Sequence, residues 1–186
     1  MSRNIEIKAR IGSVAALLPK VAAIADAGPV EILQEDTFFR CEAGRLKLRM
    51  FSEDAGELIF YRRVDQAGPK ESFYLRSPTT APRILRESLS LAYGEIGHVR
   101  KKRTLFMSGR TRIHLDCVEG LGDFLELEVV MGEVDGAALA EDEAEAEAEA
   151  LGLMGRLGID ATQLVEVAYV DLLDGGGREG SSPVPV

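Results

Sequence analysis

The stretch FLELEVV, Phe124 to Val130, alternates apolar and acidic residues. That is the period of a strand whose successive side chains point to opposite faces. Glu126 and Glu128 therefore share a face, with Leu125, Leu127 and Val129 on the other. A strand resting on a core by its apolar side would also put such charges in water, so the pair decides nothing alone. The deciding matter is whether other strands aim complementary charge at the same place.

By the same parity they do. In NIEIKARI, Asn4 to Ile11, Glu6 and Lys8 oppose Ile5, Ile7 and Ala9. In GRLKLR, Lys47 and Arg49 oppose Leu46 and Leu48. Lys101 and Arg103 share a face in HVRKKRTLFMSG, as do Arg112, His114 and Asp116 against Ile113 and Leu115 in the next strand. ELIFYRR is less clean, since Arg62 lies with Leu58 and Phe60. The wet face of an open sheet usually mixes Thr, Ser and Gln with charge, whereas nearly every position here is a full charge. An α+β fold in which an antiparallel sheet closes into a barrel, with an ionic interior and helices over its apolar outside, satisfies the pattern. An open sheet with a charged outer face is the competing reading.

The helices expected around it are a stretch capped by Ser13 that runs to the Gly28-Pro29 stop with a kink or break at Pro19, a second over APRILRESLSLAYG, and a third over EDEAEAEAEALGLMGRLGI. Ile84, Leu85, Leu89 and Leu91 form the apolar set of the second. In the third, the acids alternate with Ala and spread around a solvated helix. Pro78 and Pro82 bracket a turn, DQAGPK is a loop, and residues 175–186 read as a disordered tail after one domain over 1–174.

The formal charge of -9 argues against a nucleic-acid partner. It conceals a segregation: Arg40 to Arg112 holds 16 Lys or Arg against 8 Asp or Glu, which suggests a local anion site. No apolar run reaches the roughly 20 residues of a membrane helix and no signal pattern opens the chain, so the expectation is a cytoplasmic protein without membrane contact. Cys41 and Cys117 read as buried free thiols, and His98 and His114 as surface or satisfied core residues. Clustered Lys and Arg suit a polyanion, and carboxylates beside them repel it unless a hard divalent cation stands between. A metal-bound polyphosphate is the ligand this implies. Neither a G-x-x-x-x-G-K-[ST] loop nor a kinase motif set is present.

NIEIKAR, QEDTFFR, GRLKLR, IFYRR, VRKKR, RTRIHLDCVEGLGDFLELE and AYVDLL together resemble, in order, the CYTH superfamily, over roughly Asn4 to Leu173. That superfamily groups class IV adenylate cyclases with thiamine and inorganic triphosphatases. The resemblance implies an eight-stranded antiparallel barrel, or triphosphate tunnel, and a metal-dependent enzyme using Mg²⁺ or Mn²⁺ on a small-molecule triphosphate. It assigns Glu6, Asp116, Glu126 and Glu128 to metal, and Lys8 with Glu6 to catalysis. Lys47, Arg49, Arg62, Lys70, Arg76, Lys101, Arg103 and Arg112 are assigned to the triphosphate. Asn4 stands where the first acid of the E-x-E-x-K strand is expected, and a His-Phe lead-in associated with the cyclases is absent. Both lean the reading toward hydrolysis over cyclisation of ATP. A non-catalytic polyphosphate or nucleotide binder is the third possibility, and a homodimer is open.

Overall fold

The computed structural model describes residues 2–63, 67–132 and 137–176. Among these residues eight strands and four α-helices follow in the order β1 (Ser2–Arg10), α1 (Val14–Ala22), β2 (Ala27–Phe39), β3 (Arg45–Met50), β4 (Gly56–Arg63), β5 (Lys70–Thr79), α2 (Pro82–Tyr93), β6 (Glu95–Ser108), β7 (Thr111–Val118), β8 (Gly122–Val130), α3 (Ala137–Leu157) and α4 (Tyr169–Gly176). A short 3-10 turn, Ala161–Gln163, precedes α4. The strands hydrogen-bond in a closed antiparallel ring ordered β1-β5-β4-β3-β2-β6-β7-β8.

Parity explains what each face does. Ile5, Ile7 and Ala9 of β1, Phe106 of β6, Ile113 and Leu115 of β7, and Leu125, Leu127 and Val129 of β8 point outward into one apolar cluster. α1 covers it with Leu17 and Val21, and α3 with Ala146, Ala150, Leu153 and Leu157. Their spacing of three and four residues is a single helix stripe, and the two alanines let α3 approach the strands closely. Each fully buried Leu or Ile here is worth roughly 1.5–3 kcal/mol. The acid repeat of α3 lies mainly in water, although Asp142 and Glu149 reach back to Arg110 of the β6–β7 turn.

A second apolar cluster closes one end of the ring: Phe38, Val99, Val118 and Phe124 meet Ala168, Tyr169 and Val170. Gly97 makes this possible, because a Cβ there would lie 2.4 Å from Val170 Cγ2. Arg45 forks onto Asp171 at 2.9 and 2.8 Å and ties α4 to β3.

Several expectations are corrected. α1 ends at Ala22, and Gly28-Pro29 lies inside β2 at a register irregularity, since Ala27 onward already pairs with β6. Pro19 does not break α1. Pro78 is a strand residue opposite Glu57 and not part of a turn; the pairing of β5 with β1 ends at Tyr74, so on that side no ladder bond is lost. Ile84 and Leu91 of α2 are 69% and 83% exposed, so the apolar set of that helix is not a core stripe. Cys117 is exposed and Cys41 half-buried, because the covering helices do not extend over them. α4 continues through Gly176, two residues into the expected tail; residues 177–186, like Asp65 and Gln66 of the expected loop, lie outside the described residues. No helix among the described residues is long and apolar enough to cross a membrane.

Candidate active site

The inward residues of seven strands and of α4 surround one cavity of about 270 Å³, and β7 adds Arg112 and His114. Its floor is the apolar closure by Tyr169 and Ala168. Above it stands a layer of cations. Lys8 is held over the Tyr169 ring, 4.1 Å from the centroid, and donates to the Val167 carbonyl at 3.2 Å. Lys101 also lies over that ring, at 4.9 Å.

Two buried aspartates anchor the cations. Asp116 accepts from Lys101 at 2.7 Å, from Arg103 at 2.7 and 2.6 Å, and from the Tyr169 hydroxyl at 3.2 Å. Asp36 accepts from Lys47 at 2.7 Å and from Arg49 at 2.7 and 2.8 Å. Burial would raise both carboxyls, but the charges of Arg103 and Lys101 on one and of Arg49 and Lys47 on the other hold them well below the usual range. In Lys47 the charged form is the one disfavoured: burial and Arg49 outweigh Asp36 and push its ammonium down to about 8.

Beyond the cations, β7 and β8 present a different chemistry. His114, Glu126 and Glu128 each offer a ligand atom, all within 4.8 Å of one another. His114 Nδ1 is buried without a hydrogen-bond partner, 3.9 Å from Glu126 and 3.6 Å from Glu128. Burial opposes ionisation of Glu126, yet Lys101, Lys8 and Arg103 keep it far below the ordinary carboxylate range, so it is an anion at neutral pH. Glu128 is lowered too, with burial outweighed by His114, Arg103 and Arg112. An unpartnered imidazole nitrogen beside two ionised carboxylates is a donor set that suits a divalent cation. Glu6 stands opposite Glu128 in the β1–β8 register and lines the same cavity.

Side-chain exposure rises away from the floor, from 4% at Lys8 and Lys101 and 6% at Arg103 to 28% at Arg112 and 49% at Arg76. The mouth is thus at the Arg76 end.

Of the residues singled out in the sequence, Glu6, Lys8, Lys47, Arg49, Arg76, Lys101, Arg103, Arg112, Glu126 and Glu128 line this cavity. Three are placed otherwise. Arg62 is on the outer face: the inward residues of β4 are Glu57, Ile59 and Tyr61, and Arg62 donates to the Ala43 carbonyl at 2.7 Å. Lys70 is buried beside the closing segment, donating to the Glu166 carbonyl at 2.9 Å. Asp116 is outside the His–Glu group and holds Lys101 and Arg103; Glu126, inside that group, is also ion-paired, with Lys8 at 3.3 Å and with Arg103. Asp36 and His114 are the residues that sequence reasoning missed. Asp36 sits at an inward parity of QEDTFF, and His114 shares the face of Arg112 and Asp116; those were the available signals.

A family model described as the CYTH domain matches residues 2–169. The adenylate cyclase CyaB of Aeromonas hydrophila is 26% identical over 98% of this chain and 94% of its own. Among solved structures, the PH1012 protein of Pyrococcus horikoshii OT3 aligns with a TM-score of 0.77 at 21% identity, covering 91% of this chain and 98% of its own. HpAC1 of Hippeastrum, described as having a dominant triphosphatase activity, aligns with a TM-score of 0.64 at 18% identity, covering 93% and 96%.

Proposed function

This chain belongs to the CYTH domain family, and on that premise we propose that it is a metal-dependent enzyme acting on a triphosphate held in the ring's cavity, as in a triphosphate tunnel, and that the reaction is hydrolysis. The observation that carries this reading is the convergence of Lys8, Lys47, Arg49, Lys101 and Arg103 on one cavity that also holds the group of His114, Glu126 and Glu128.

In this reading the guanidinium nitrogens of Arg49 and Arg103 that the aspartates leave free reach phosphate oxygens, and Lys47 and Lys101 add point charge. Glu126, Glu128 and His114, with Glu6 adjacent, hold a divalent ion, Mg²⁺ or Mn²⁺, which when bound neutralises charge on the phosphoryl oxygens. Asp36 and Asp116 fix the cations before substrate arrives, so little reorganisation is left for the reaction. Water attacks the terminal phosphorus as the bond to the bridging oxygen breaks, Glu6 takes the water's proton, and Lys8 stabilises charge on the departing phosphate chain.

Asn4 supports hydrolysis over cyclisation. It is 3% exposed on the cavity wall and contributes no charge where the resemblance expects an acid. Cyclisation of ATP is the second reading, favoured by the likeness to CyaB along nearly the whole chain. Product analysis with ATP, thiamine triphosphate and inorganic triphosphate, each with Mg²⁺ or Mn²⁺, separates them. The expected result is release of phosphate from a triphosphate; cyclic AMP as the main product from ATP would overturn it.

A further inference from the structure

The floor of the cavity sets one aromatic ring against two ammonium groups. Lys8 Nζ lies 4.1 Å and Lys101 Nζ 4.9 Å from the centroid of Tyr169, both inside the range of about 6 Å over which a ring face attracts a cation. Both lysines are buried, and the attraction is stronger there than at a wet surface. The ring is itself fixed in place. Tyr169 is buried, meets Phe124 edge-to-face at 4.9 Å between centroids, and its hydroxyl donates to Asp116 at 3.2 Å.

The carboxylates beside these lysines act on them differently. Asp116 holds Lys101 at 2.7 Å and Glu126 stands 3.3 Å from Lys8, and each cancels part of the charge it attracts. A ring face attracts a cation without supplying net charge, so it places an ammonium and leaves that charge for an incoming anion. Placement matters because the four-carbon stem of a lysine is flexible and its head is a point charge with no preferred geometry. It matters most at Lys8, since a lysine drawn fully onto Glu126 would compete with a divalent ion for that carboxylate. Resting on the triphosphate reading above, we infer that Tyr169 is a positioning residue: its ring face, and not its hydroxyl, holds Lys8 and Lys101 at the floor with their charge directed to the inner end of the phosphate chain. The hydroxyl serves the ring by fixing its orientation against Asp116, which is anchored by Lys101 and Arg103 in any case.

The test changes the charge distribution of the ring and keeps its shape. Tyr169→Phe is compared with Tyr169→4-fluorophenylalanine and Tyr169→3,4,5-trifluorophenylalanine, because fluorine withdraws electron density from the ring face and weakens its hold on a cation with little change in volume. Affinity for diimidotriphosphate, an inorganic analogue that resists hydrolysis, is measured by equilibrium titration with Mg²⁺, and thermal melts confirm that each chain is folded. Tyr169→Phe should bind within about threefold of the wild type, and affinity should then fall stepwise with fluorine content, to about tenfold or more below Tyr169→Phe at three fluorines. Equal affinity along the series would overturn the inference and leave the triphosphate site standing. A loss already complete in Tyr169→Phe would assign the effect to the hydroxyl and overturn it too. If the wild type does not bind diimidotriphosphate, the triphosphate reading falls and takes this inference with it.

Discussion

Asp116 shows what a single residue does here. It is 0% exposed and holds Lys101 and Arg103 at once, so Asp116→Ala leaves two buried cations without their anchor. Removal of one partner from such a group costs about 3–5 kcal/mol, and chemical denaturation should show a loss of that size; a loss under about 1 kcal/mol would mean that the network is not a structural unit. Lys47 gives a pH dependence whose sign is fixed. Its ammonium titrates near 8 in the folded chain against 10.5 when free, so between those values the folded state binds fewer protons than the unfolded one. The contribution of Lys47 to stability therefore rises with pH across that window, while its attraction for an anion is lost above about 8. Diimidotriphosphate affinity measured from pH 7 to 9.5 should fall by up to about tenfold per pH unit beyond 8, and Lys47→Arg should remove the fall. A flat profile in the wild type would contradict the assignment. At this scale the sequence was legible wherever strand parity was clean, as at Lys8, Lys47, Lys101 and Arg103. It misled at Arg62, where adjacent Arg62 and Arg63 offer a cation at either parity, and at His114, whose partners are supplied by β8 and by no neighbour in sequence.

Elements are held by two kinds of contact. α3 seats Ala146 and Ala150 directly on the outer face of the ring, both 0% exposed. Ala150→Leu should overpack that contact and cost roughly 1–3 kcal/mol, whereas Glu147→Ala on the exposed side should stay within about 0.5 kcal/mol; equal losses would show that α3 is not docked by its alanine stripe. α4 adds polar clamps to its apolar packing: the Arg45–Asp171 fork, the Tyr169–Asp116 hydrogen bond, and carbonyls of residues 165–167 taken by Lys8 and Lys70. Arg45 and Asp171 are partly exposed, so Arg45→Ala should cost no more than about 1 kcal/mol globally. Its effect should appear as faster amide exchange confined to residues 165–172. Strands and helices were mostly readable from period and caps, including Ser13, which accepts from the Ala16 amide. Element ends were not, because the Gly28-Pro29 pair that reads as a helix stop is accommodated within β2 beside β6, a tertiary partner that local chemistry does not reveal.

The whole molecule exchanges inside and outside relative to an ordinary sheet packed on a core. Its apolar faces look outward under α1 and α3, and its charged faces look inward on one cavity. That exchange was legible because full charges recur at one parity on strand after strand. The closure of one end was not, since Ala168, Tyr169 and Val170 carry no periodic signal and acquire their role only by meeting Phe38, Val99 and Phe124. The most direct test of the central claim is a crystal structure with diimidotriphosphate and Mn²⁺, the ion located by its anomalous signal. The ion is expected at Glu126, Glu128 and His114, and phosphate oxygens within hydrogen-bond distance of Lys47, Arg49, Lys101 and Arg103. Density for the ligand on the outer surface of the ring, with the cavity free of it, would contradict the account.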